Sequence, residues 1–84
     1  MNKYYYNIKG IIKLEFDEIF SKRLFDIFDD NNIEIVHYIS SKNDDNTISL
    51  KCETYSSHTK DEIFNIFMSV IKQLHTSFNG IIEK

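Results

Sequence analysis

Residues 3–16, KYYYNIKGIIKLEF, decide how the rest of the chain is read. Tyr4, Tyr6, Ile8, Gly10, Ile12, Leu14 and Phe16 share one phase of a two-residue period. Tyr5, Asn7, Lys9, Ile11, Lys13 and Glu15 share the other. A strand sends successive side chains to opposite faces, so this alternation predicts a strand with one buried face. Gly10 interrupts it. A glycine there marks either a bend or bulge within one strand or, together with Lys9, the turn of a hairpin. The alternation keeps its phase through Gly10, which favours one bent strand.

Working outward, the apolar period lengthens to 3.6 over residues 17–31 and predicts a helix. Asp17 is its expected N-cap, and Phe20, Leu24, Ile27 and Phe28 form its core stripe. Asp29-Asp30-Asn31-Asn32 favours a turn and ends it. Residues 33–41, IEIVHYISS, read as a strand, 42–46 as a polar loop, and 47–56, TISLKCETYS, as a second strand with Ile48, Leu50, Cys52 and Thr54 inward. Residues 59–77 read as a helix opened by a capping box of Thr59 and Glu62. Its core stripe is Ile63, Phe67, Val70, Ile71 and Leu74, its stop is Asn79-Gly80, and Ile81 and Ile82 begin a short last strand. The order β-α-β-β-α-β predicts a single α+β domain over residues 1–84. It is ferredoxin-like, with two helices on one face of a four-stranded antiparallel sheet. A hairpin at Gly10 would give ββαββα instead.

The 84 residues are 42% hydrophobic and 27% charged, a balance typical of a folded domain, with a net charge of −3. Cys52 is the only cysteine, which excludes an intrachain disulfide and fits a reducing compartment. The first sixteen residues lack the uninterrupted apolar stretch and small-residue cleavage site of a signal peptide, and no run is long enough to span a membrane. A cytoplasmic protein without membrane association is the expectation. Abundant Ile, Asn, Lys, Phe and Tyr point to a low-GC genome.

Chemistry-bearing constellations are sparse. His37, His58 and His75 share no close helical spacing, and Cys52 with one histidine falls short of the three or four ligands zinc needs. Cys52 sits on the inward phase of its strand and reads as core. The loop at 43–46 lacks the spacing and distal Glu of a calcium site. Gly10 and Gly80 are too few to cradle a phosphate. Asp61 and Glu62 complement a helix dipole. With no nucleophile–base pair, metal site or cofactor site, the chain reads as a non-enzyme.

Two surfaces remain. The open sheet face is expected to show Tyr5, Lys9, Lys13, Lys51 and Tyr55, joined by Tyr38 if Ile33, Ile35 and Ile39 point inward. Such a face could stack the bases of a single-stranded nucleic acid, or, with the strand edges, be covered in a homodimeric assembly or sensing domain. The acidic surface holds Asp26, Asp29, Asp30, Asp44 and Asp45, which suit a protein partner with a basic surface. Ile19, Phe25, Phe64, Ile66 and Met68 fall off the core stripes. They mark wide core faces or a contact site for a partner or a second copy.

Within the ferredoxin-like fold, acylphosphatases place an Arg in the loop after the first strand, whereas Arg23 lies mid-helix here. Heavy-metal-associated domains need a C-x-x-C pair, and Cys52 stands alone. Amino-acid-sensing ACT domains usually carry a Gly-containing turn where Phe16-Asp17-Glu18 stands. By length, acidity and pattern, the chain resembles small phage-encoded inhibitors, including anti-CRISPR proteins. That resemblance implies a non-catalytic inhibitor that blocks a nucleic-acid-binding surface of a host defence complex. It carries over no site residue.

Overall fold

The computed structural model describes residues 2–14 and 17–84. The elements are β1 (Tyr4–Ile12), α1 (Asp17–Asp30), β2 (Glu34–Lys42), β3 (Ile48–Ser56), α2 (Lys60–Gln73) and β4 (Phe78–Glu83). The four strands form one antiparallel sheet in the order β2-β3-β1-β4. This is the expected α+β, ferredoxin-like arrangement.

The pairing of β1 with β3 runs without a register shift from Tyr4 opposite Ser56 to Ile12 opposite Ile48. Gly10 therefore marks neither a hairpin nor a bulge. It lies opposite Leu50 on one side and Gly80 on the other. A Cβ on Gly10 would come within 2.6 Å of the Phe78 ring, and one on Gly80 within 2.1 Å of the Lys9 carbonyl oxygen. The paired glycines leave room for Phe78, whose ring meets Phe67 of α2 edge-on at 4.8 Å between centroids. Glu15 and Phe16, read from the sequence as the end of the first strand, lie outside the described residues.

Both helices end on a residue with positive φ. In α1 this is Asn32 (φ 58°), and in α2 it is His75 (φ 53°). Around each, the backbone closes in the same way. Ile33 donates to Phe28 and Asn32 to Asp29, while Thr76 donates to Ile71 and His75 to Lys72. These are Schellman closures, normally built on glycine. The stop expected at Asn79-Gly80 is thus corrected: α2 ends at Gln73, and Asn79 and Gly80 belong to β4. At the other end, Thr59 and Glu62 form the expected capping box, each side chain accepting from the other's backbone N–H at 3.2 and 2.8 Å.

Asp17, expected as an N-cap, is the first residue of α1. Its carboxylate accepts from the Tyr38 hydroxyl at 3.4 Å and from Ser40, tying the start of α1 to β2.

One core fills the space between the sheet and the helices. Ile8, Ile12, Leu50 and Cys52 face Phe20, Leu24 and Phe28 of α1 and Ile63, Phe67 and Val70 of α2. Phe64, Ile66 and Met68 pack partly buried against it, so α2 uses a wide core face. Ile19 and Phe25 of α1 stay exposed.

The glycine pair sets a clear expectation. Gly80→Ala should lower unfolding stability by at least about 2 kcal/mol in denaturant titration, because backbone lies in the path of the new methyl. The capping box sets another. Hydrogen bonds from Thr59 hold the Glu62 carboxyl below its ordinary range, so its contribution is present above that range and lost as pH falls through the lowered value. Carboxyl-detected NMR should show this depressed titration, and Thr59→Ala, which keeps the backbone N–H donor and removes the hydroxyl, should bring it only part of the way back.

Candidate functional site

The open face of the sheet is set by the register. On β1 it carries Tyr5, Asn7, Lys9 and Ile11, opposite Tyr55, Glu53, Lys51 and Ser49 of β3. On β4, Ile81 stands beside Lys9, and Glu83 beside Asn7. The sequence reading of β1 and β3 agrees with this face at Tyr5, Lys9, Lys51 and Tyr55, and is corrected at Lys13, which lies past the end of β1.

The reading of β2 is corrected. The ladder shifts between Ile35 and His37, leaving Val36 as an extra residue in a bulge. An inserted residue reverses the in-out phase of everything after it. Ile35 lies opposite the buried Thr54, but Tyr38 then lies opposite the buried Cys52 and Ile39 opposite the exposed Lys51. Tyr38 therefore turns toward the helices. It packs against the core, meets Phe25 edge-on at 5.4 Å, and burial pushes its hydroxyl well above the usual range. Ile39 turns to the open face in its place.

The outcome is an apolar surface. Tyr5, Ile11, Ile39 and Ile81 all stand on the open face and are 52, 45, 51 and 56% exposed. Tyr5 and Tyr55 meet at 4.5 Å between ring centroids, and the Lys3 ammonium lies 5.4 Å from the Tyr55 ring. Ile39 and Ile81 were missed as members of this surface. Ile81 was legible from the phase of its strand once the strand's start was known, whereas Ile39 depends on the bulge.

Charge on this face is mixed. Lys9 and Lys51 are direct cross-strand neighbours, an arrangement that destabilises a sheet unless something compensates. Glu83 pairs with Lys9 at 2.8 Å, and this contact holds its carboxyl below the usual range. Glu34 and Glu53 join Glu83, and with Lys3 over the Tyr55 ring three lysines stand among three glutamates. Lys13 lies beyond the end of β1, its backbone N–H bonded to Ser77.

The acidic residues do not form one patch. Asp26, Asp29 and Asp30 are exposed at helical spacing on α1. Asp44 and Asp45 lie in the β2–β3 loop, at the other end of the sheet. Only β2, nine residues long, runs between the two groups, and at ~3.3 Å per residue it separates them by roughly 30 Å. Asp45 is engaged within its loop, accepting from Thr47 at 2.5 Å, a bond that lowers its pKa.

Among the described residues, no group of three His, Cys, Asp or Glu side chains could hold a metal ion, and no helix is long and apolar enough to cross a membrane. Cys52 is fully buried, and burial pushes its thiol up to about 12. His58 Nε2–H donates to the Asn31 carbonyl oxygen at 2.7 Å, joining the segment before α2 to the end of α1.

No protein-family profile matches the chain, and no curated protein is similar to it in sequence. Solved structures do share its fold. The C-terminal domain of the MgtC protein from Mycobacterium tuberculosis superposes with a TM-score of 0.67 at 12% identity, covering 92% of this chain and 86% of that one. A formyltetrahydrofolate deformylase from Burkholderia mallei gives 0.69 at 7% identity over 96% of this chain, which spans only 28% of the deformylase. A de novo designed protein with a ferredoxin fold gives 0.52 at 11% identity, over all of this chain and 87% of the design. At these identities the likeness is one of fold, and it agrees with the ferredoxin-like α+β class.

The burial of Cys52 has a direct consequence. In the native protein its thiol should resist a disulfide reagent at pH 8 and react only at the rate of unfolding. Reaction within the mixing time would contradict its place in the core.

Proposed function

We propose that this protein is a non-enzymatic protein-binding module that engages its partner through the open face of the sheet. The observation that carries this reading is the group of exposed apolar side chains there, Tyr5, Ile11, Ile39 and Ile81. Apolar residues scattered singly need no explanation, but several on one face are the mark of a contact surface. Two helices cover the opposite face, so burying these residues requires another molecule.

The mixed charge supports a protein over a nucleic acid as occupant. A strand-binding groove tracks a phosphate backbone with positive charge and offers free aromatic faces. Here three glutamates offset the lysines Lys3, Lys9 and Lys51, and Tyr55 is already engaged by Tyr5 and Lys3.

A narrower reading is an anti-CRISPR-like phage inhibitor acting in a bacterial cytoplasm and covering a basic nucleic-acid-binding surface of a defence complex. What favours it is the net charge of −3 and the exposed carboxylates Asp26, Asp29 and Asp30 along α1. In that reading the helix, not the sheet, meets the partner.

A photo-crosslinking amino acid separates the two. Placed at Ile39 or Ile81 in cells, it should yield protein adducts, while the same group at Asp26 should yield few. Adducts from Asp26 alone, lost when Asp26, Asp29 and Asp30 are changed to Lys, would replace the sheet reading with the acidic-helix one. Adducts to nucleic acid alone would remove both.

A further inference from the structure

We infer that the partner of the open face is a second copy of this chain, packed sheet to sheet with its strands antiparallel. The inference rests on the proposal that this face binds protein and adds the identity of the occupant.

The argument is charge complementarity, read from the register. One cross-strand row of the face holds Ile81, Lys9, Lys51 and Ile39, and the next holds Glu83, Asn7, Glu53 and His37. Lys9 and Lys51 thus lie in one row and Glu53 and Glu83 in its neighbour, while Glu34 and Lys3 stand beside Tyr55 in the row beyond. Tyr5 and Tyr55 flank the glutamate row, and Ile11 and Ser49 flank the lysine row.

Symmetric dimers use the same patch on both copies, so the patch must complement itself. Two in-plane two-fold axes are possible for stacked sheets. An axis along the strands would lay lysines on lysines. An axis across the strands, running between the two rows, lays the lysine row of each copy on the glutamate row of the other. Lys51 then meets Glu53, Lys9 falls beside Glu83, and Ile11 covers Tyr5. The direct opposition of Lys9 and Lys51, unfavourable within one chain, becomes the centre of an alternating charge pattern across two.

Size sets the expected strength. Four strands ~4.8 Å apart and a ladder of about 25 Å give on the order of 500 Å² a side, below the ~800 Å² per partner of a standard stable interface. The dimer should therefore dissociate on dilution and weaken with salt.

Sedimentation velocity on the full chain, from micromolar to millimolar and at two salt concentrations, reads this directly. A concentration-dependent monomer–dimer exchange is expected. Lys51→Glu and Glu53→Lys should each weaken it by about tenfold or more, and the double exchange should restore it. Amide spectra confirm that each surface variant is folded. A monomer at every concentration overturns the inference, as does dimerisation that the single variants leave unchanged or a loss that the double exchange fails to repair. If the chain is monomeric while Ile39 and Ile81 still crosslink to a different protein, the binding surface stands and the second copy falls. If neither occurs, both fall.

Discussion

Ile8 stands opposite Cys52, Lys9 opposite Lys51, and Gly10 opposite Leu50, in a pairing of β1 with β3 that never slips. The two central strands of the sheet are locked to each other by this register. It assigns every side chain on them to one of two faces. A shift of one residue would turn one strand over against the other, putting either Ile8 and Ile12 into solvent and Lys9 into the core, or Leu50 and Cys52 into solvent and Lys51 into the core, at a cost no domain of this size could meet. The helices pack where they do because this register gives them an apolar floor. The open face carries Lys9 and Lys51 in one row and Glu53 and Glu83 in the next for the same reason.

Much of this was legible in the sequence, because the informative signals are local. The alternation over residues 4–12, the stripe of Phe20, Leu24 and Phe28, and the Thr59–Glu62 capping box each need only a few neighbouring residues to be seen. What was not legible depends on distant partners. Gly10 looked like a possible turn until Gly80 and Phe78 arrived beside it from the far end of the chain. The end of α1 fell within the expected Asp29–Asn32 turn, but the end of α2 at His75 replaced the expected Asn79-Gly80 signal with a residue that seldom adopts positive φ. The bulge at Val36 left no trace in IEIVHYISS, where both phases carry apolar residues. That one insertion exchanged Tyr38 and Ile39 between faces, putting an aliphatic side chain on the open face where an aromatic one was expected.

The functional picture changes accordingly. A tyrosine-and-lysine sheet face suggested nucleic acid, and a scatter of aspartates suggested a basic partner. In three dimensions the aspartates divide between the two ends of the molecule, while isoleucines from β1, β2 and β4 gather on one face. Fold likeness to the MgtC domain, the deformylase and the designed protein accounts for the scaffold and leaves function to this surface. The surface combines an apolar set with ordered rows of opposite charge, as a contact between two folded sheets requires.

The most direct test of this account is a dilution series of amide NMR spectra, which maps contact residue by residue. Shifts confined to the outward positions of the sheet, with Lys9, Ile11, Lys51 and Ile39 moving and the helices still, are the predicted result. Shifts centred on Ile19, Phe25 and Asp26 of α1, or no shifts up to millimolar protein, would contradict it.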